Sequence, residues 1–372
     1  MSGLALKRNA EEAVDRRRKL LGGEMRDGIL ATLPVRVDTD SAWEAFEAKW
    51  QTCETGEARP FPGNEEIFER YIIGMSKRGQ VDDDWLPVVY STLDFGESLV
   101  GGQFGSEMTC MYRPRGPGFS KAATVVTDYA DLPTVSFSLD NEWTRRFLSV
   151  QDYFEAHDNG RFAQHPSLTM DALNFVVEMR GSTRAYLDLY EHPEELRALM
   201  EIGLDYNIRF QEAQMERIPR HAEGCFVWLA DWAPYPRAVS FSVDAYVICS
   251  VKHYVEFGFE YQSRLAEHFG CAVMHFHCNR PDLAAEVAKL PNLRMFQYGH
   301  DSRDPLPDVD RVPDMRRAVG DVPLMVWVES TEFQERLARQ RLLPNVWYCV
   351  AGDELEPDEA NRLAEKVRAY RA

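Results

Sequence analysis

At 372 residues, with 45% hydrophobic and 12% aromatic side chains, the chain has material for a large core and does not resemble a disordered protein. Its 60 acidic against 42 basic residues give a formal charge of −18, which argues against nucleic acid or an anionic membrane as the main partner. The 7 cysteines are scattered, without a CxxC; they exclude a disulfide framework and point to a reducing, cytoplasmic setting.

The N-terminus, Met1 to Glu24, is charged and helix-like with no apolar signal core, and no apolar run is long enough to span a bilayer. Residues 1–80 read as a helical extension packed on the domain that follows. Ser41-Ala42-Trp43-Glu44 has the form of a capping box ahead of Phe46 and Trp50, and Asn64 can cap a helix through Phe68, Tyr71 and Met75. From 81 to 138 the chain turns irregular and glycine-rich. Asp82-Asp83-Asp84, Gly101-Gly102 and Arg113-Pro114-Arg115-Gly116 have the composition of long loops, where lids and substrate loops sit.

The second half alternates. A helix near Asn141–Ala156 leads to a strand-like Phe162–Met170, and Asp171 then caps a helix. Pro193 starts a long amphipathic helix; a strand Cys225–Ala230, a helix Val251–His268, a strand Cys271–Met274 and a helix Asp282–Leu290 follow. The closing units are strands Leu293–Tyr298 and Leu324–Val328, helix Glu332–Leu342, strand Asn345–Val350 and helix Pro357–Tyr370. Strands alternating with helices of this length predict parallel βαβ units. The expected architecture is therefore α/β, a (β/α)8 TIM barrel over residues 81–372 behind the N-terminal extension.

Several of these strands end on ionisable residues: Asp231, His275 and His277, His300-Asp301, Glu329 and Cys349. That is where a barrel of this kind carries its active site. His275 and His277 are i and i+2 on one strand, so both imidazoles face one point. With Cys349 at a second strand end they make a credible ligand set for zinc, one position left open for chemistry. Asp231, His300 and Glu329 are the candidate catalytic groups; Glu329 follows an apolar run whose burial would shift its protonation. Taken singly each has a plainer role: Cys278 as a small buried residue pointing away from the histidines, Cys349 as core, Asp171 as a helix cap and Asp244 as a turn cap.

The stretches Met170-Asp171-Ala172-Leu173, Met179-Arg180-Gly181, Leu187-Asp188-Leu189-Tyr190-Glu191-His192-Pro193-Glu194, Val243-Asp244 and Cys249-Ser250-Val251, followed by the His-rich strand end, occur in the order and spacing of a known group. From about Asp82 onward the chain resembles the uroporphyrinogen decarboxylase superfamily, in particular its methylcobamide:coenzyme M methyltransferase branch. The resemblance implies a zinc site at a His-x-Cys strand end plus a distant cysteine; here the strand end reads His275-Phe276-His277, and Cys349 matches the distant cysteine. It also implies methyl transfer between a corrinoid carrier, on a separate corrinoid protein, and a metal-bound acceptor. The Arg-rich N-terminal motif of true uroporphyrinogen decarboxylases is absent from residues 1–60; Arg113, Arg115 and Arg180 are the remaining candidate cations. Two other readings stay open: a decarboxylase of a tetrapyrrole or other carboxylate-rich substrate, and a non-catalytic barrel partner of a corrinoid protein. A small-molecule substrate is expected in either enzymatic case, with the chain a monomer or homodimer.

Overall fold

The structure, a computed structural model, describes residues 4–36, 58–59, 61–72, 75–91, 95–96, 98–111, 119–277, 280–299 and 308–372. Thirteen strands occur among them: β1 Ile29–Thr32, β2 Ala58–Arg59, β3 Val88–Val89, β4 Met108–Met111, β5 Phe119–Ala122, β6 Ala163–Gln164, β7 Cys225–Val227, β8 Asp231–Ala233, β9 Val239–Phe241, β10 Ala272–His277, β11 Leu293–Gly299, β12 Leu324–Glu329 and β13 Val346–Ala351.

Six of them form one sheet in the order β1-β13-β12-β11-β10-β9, every pair parallel. β3 and β6 pair parallel beside it, and an isolated parallel bridge from Thr169 to Phe241 ties the segment after β6 to β9. Helices return between successive strands, as parallel connections require. The result is a mixed α/β fold of barrel-like arrangement.

Alternation along the strands sorts two packing layers. Ile29 and Ala31 of β1, Met274 and Phe276 of β10, Phe296 and Tyr298 of β11, and Val346, Tyr348 and Val350 of β13 pack into the large cluster under the helices. The intervening residues, Leu30, Val273, Met295, Met325, Trp347 and Cys349, form a second cluster on the inner face. His275 and His277 continue that inner face, so the period that buries Val273 also aims both imidazoles inward.

Two segments differ from the expectations above. Residues 1–80 are not helical throughout, because Ile29–Thr32 is a strand of the main sheet, paired in register with Val346–Cys349. The Asp82-Asp83-Asp84 run is a clamp rather than an open loop. Asp84 Oδ2 accepts the Ala31 N–H at 2.8 Å, Asp83 Oδ2 accepts the Leu33 N–H at 2.8 Å, and the Asp84 N–H donates to the Ala31 carbonyl at 3.0 Å. These side chains take up backbone donors of β1 and of the residue that follows it. Lys7 and Arg78 hold Asp83, and Arg16 holds Asp84, so the first helix, Ala10–Leu21, and its lead-in are fastened to the same point.

The other helices follow their caps. Asn141 accepts the Trp143 N–H at the start of Glu142–His157, and Asp171 accepts from Leu173 and Asn174 at the start of Ala172–Arg180. Pro193 opens the 23-residue helix to Met215. No helix among the described residues is long and apolar enough to cross a membrane. The Ser41–Trp50 segment lies outside the described residues.

Candidate metal centre

The centre is built from the C-terminal ends of two neighbouring strands. β10 ends on His275 and His277, their rings 4.3 Å apart and nearly perpendicular. Their Nε2 atoms face each other at 2.7 Å. Asp244 follows β9 in a short 3-10 turn, Asp244–Tyr246, and β9 is the strand paired with β10. One donor atom from each of Asp244, His275 and His277 lies within 4.8 Å of the others.

The surroundings leave these donors directed at one another. Gln297, buried and opposite His275 in register, accepts the Nδ1 hydrogen of His275 through Oε1. With Nδ1 protonated, Nε2 keeps its lone pair for the centre. Burial holds the His275 pKa below the usual range, against the opposing pull of Asp244 and the Gln297 hydrogen bond, and the ring stays neutral. Gly299 lies opposite His277, and a Cβ there would sit 3.2 Å from the His277 ring. Asp244 Oδ1 is shielded from solvent and accepts no hydrogen bond.

Two nitrogens facing at 2.7 Å and an orphaned carboxylate oxygen beside them fit a divalent cation. Among the described residues the donor set is two imidazoles and a carboxylate, with no sulfur. Asp171 lies close behind: burial first, then the charge of Asp244, push its carboxyl up to about 8, while the Asn174 and Leu173 N–H groups oppose this.

The other candidate residues fall elsewhere. Cys349 is not gathered with the histidines, and the third donor is Asp244 in its place. β11 and β12 lie between β10 and β13, so at about 4.8 Å per strand the two ends stand roughly 14 Å apart along the sheet. Cys349 instead packs with Leu30, Met325 and Trp347, and burial pushes its thiol well above the usual range.

Asp231 does not end a barrel strand. Cys225–Ala233 is a hairpin, β7 antiparallel to β8, and Asp231 opens the second strand with its carboxylate 2.6 Å from the buried Arg17. Its role is an ion pair. The tip of that hairpin instead brings Trp228 to the centre, 5.2 Å from His275 ring to ring. Glu329 is exposed at the end of β12, so the expected burial is not found. Arg180 is committed to Asp188 and to the carbonyls of Val126 and Thr127. His300, Asp301, Cys278, Arg113 and Arg115 lie outside the described residues.

A cavity of about 300 Å³ opens from the centre. Asp244, His275, His277 and Trp228 line it together with Leu99, Val100, Phe147, Tyr206 and Phe210. A second acidic group, Asp188-Glu191-His192, also brings donors together, but Asp188 accepts from Arg180 and from the Tyr129 hydroxyl at 2.7 Å. It reads as an ion-pair cluster.

No protein-family model and no curated protein sequence matches the chain. Among solved structures it is similar to a methyltransferase from Methanosarcina mazei, with a TM-score of 0.58 and 11% identity over 96% of this chain and 98% of that one. At that identity the likeness concerns the fold.

Proposed function

We propose that the protein is a zinc-dependent methyltransferase on a closed (β/α)8 barrel, moving a methyl group between a corrinoid carrier and a small acceptor. The observation that carries this is the convergence of Asp244, His275 and His277 at adjacent strand ends, at the mouth of a cavity. The whole-chain fold similarity to a methyltransferase supports it, as does the placement of ligands where barrels of this class do their chemistry.

Zinc held by these three side chains would supply Lewis acidity, lowering the pKa of an acceptor's donor atom at neutral pH. The protein's own part is positioning. Gln297 fixes the His275 tautomer and ring plane, the turn at Asp244 brings a carboxylate to the imidazoles, and Trp228 packs edge-on against the His275 ring. The acceptor, held as its anion, would attack the methyl carbon, its proton passing to solvent and the bonding electron pair leaving with the carrier. Trp327, 45% exposed on the inner face of β12, offers a flat apolar surface to a carrier approaching the mouth.

A decarboxylase is the weaker alternative. Its developing carbanion and multiple carboxylates call for organised cations, and no arginine or lysine lines this cavity among the described residues. The test is loss of methylcobalamin absorbance with zinc-loaded protein and a panel of thiols and phenols. Demethylation that requires both metal and acceptor is the expected result. No demethylation with any acceptor, with CO2 released from carboxylate substrates instead, would replace methyl transfer by decarboxylation.

A further inference from the structure

The cavity at the metal centre is lined by two chemically different sets of residues, and the apolar set says what kind of molecule fills it. Leu99, Val100, Phe147 and Phe210 face it with hydrocarbon. Its neutral polar groups are already engaged. Gln211 Nε2 donates to the Ser167 carbonyl at 2.7 Å, Ser167 Oγ accepts from Gln214 at 2.9 Å, and Asn207 Nδ2 donates to the Met170 carbonyl at 2.8 Å and to Tyr261 Oη at 2.6 Å. No arginine or lysine is among the described lining residues.

Against the hydrocarbon side chains, away from the metal centre, a sulfonate or carboxylate would meet no arginine or lysine among the described lining residues, and leaving such an anion unpaired in an apolar wall costs several kcal/mol. At about 30 Å³ per water-sized group, 300 Å³ holds on the order of ten non-hydrogen atoms.

We propose that the cavity binds an uncharged, apolar small molecule, an alkyl or aromatic body of that size, with one hydroxyl or thiol head at Asp244, His275 and His277. This rests on the proposed function for where the reacting head lies, and it adds the substrate class. An apolar body packs against the hydrocarbon side chains without stranding a polar group, and the head atom lies where all three donor side chains converge. Specificity then comes from chamber length and from rejection of charge.

The test is isothermal titration calorimetry on the purified full chain, without a methyl donor, with two matched probes: 4-propylphenol and 3-(4-hydroxyphenyl)propanoate. They share head and ring and differ by a carboxylate at the tail. The phenol is expected to bind at least about tenfold more tightly than its carboxylate counterpart. Val100→Phe, which shortens the chamber, should abolish phenol binding. Leu99→Ala, which lengthens it, should shift preference from 4-propylphenol to 4-pentylphenol, so the chain-length dependence decides even where the larger residue prevents folding. Equal affinity for the two first probes, or no change of chain-length preference in Leu99→Ala, overturns the proposal. Phenol binding without methyl transfer would leave it standing and count against the methyltransferase reading. Methyl transfer confined to anionic thiols such as 2-mercaptoethanesulfonate, without phenol binding, would do the reverse.

Discussion

Replacing His277 by alanine should strip the protein of its metal and lower methyl transfer by at least about a thousandfold, well beyond the 10–100-fold typical of losing an outer-shell partner. The centre has three donor side chains, and removing one leaves His275 and Asp244, too few to hold zinc firmly. The fold should survive, because His277 is the half-exposed last residue of β10 and the strand's outward residues Met274 and Phe276 are untouched. Cys349→Ser is the matching control. Its thiol packs in the inner cluster, three strands along the sheet from the histidines, so metal content should stay within error of the parent protein. Elemental analysis of the two variants, with circular dichroism to confirm folding, checks both. Metal retained in His277→Ala and lost in Cys349→Ser would reverse the assignment.

The second large effect is on stability. Asp83→Ala should cost about 3–5 kcal/mol, because it leaves buried cations without their counter-charge. The Asp83 side chain is 1% exposed and that of Lys7 0%; Arg78 bonds both carboxylate oxygens, and the Leu33 N–H donates to Oδ2 at 2.8 Å. Burial alone would raise the Asp83 pKa, but the charges of Arg78 and Lys7 prevail and bring it from 3.8 down to about 2. The folded state therefore binds fewer protons than the unfolded chain between those two values. The stabilisation is fully present above 3.8 and is lost as pH falls through about 2, an amount near 2.5 kcal/mol for a shift of this size. Urea unfolding of both proteins across acid pH should give a constant gap above about pH 5 that narrows toward pH 2. A gap that widens on acidification, or one below about 1 kcal/mol at neutral pH, would show that the clamp is not what fastens β1.

The parts of the fold legible in the sequence are those governed by local pattern. Cys271–Met274, Leu293–Tyr298, Leu324–Val328 and Asn345–Val350 each have the apolar composition of a buried strand, and each strand lies within a few residues of those bounds. Asn141, Asp171 and Pro193 likewise sit at the helix starts they signal. Ile29–Thr32 was hidden because four residues beside a charged helix carry too little periodicity. Its partners, Val346–Cys349 and Asp83-Asp84, lie far along the chain.

The same limit applies to the centre. His275 and His277 share a strand, so their convergence follows from period 2 alone. Asp244 joins them through the pairing of β9 with β10, a tertiary fact that no spacing carries. Cys349 suggested itself as a strand-end thiol, but strand order rather than strand end decides which donors meet. Asp231 misled in another way: the backbone turns back at Leu229 and Asp231, both with positive φ, and makes a hairpin of what reads as one strand.

X-ray absorption at the metal edge of protein purified without chelators and loaded with one equivalent of zinc tests the Asp244–His275–His277 centre most directly. The expected first shell contains only nitrogen and oxygen, at about 2.0–2.2 Å, with the outer-shell signature of two imidazoles. A sulfur scatterer at about 2.3 Å would place a cysteine at the metal and contradict the centre described here, and protein that takes up no zinc would remove it altogether.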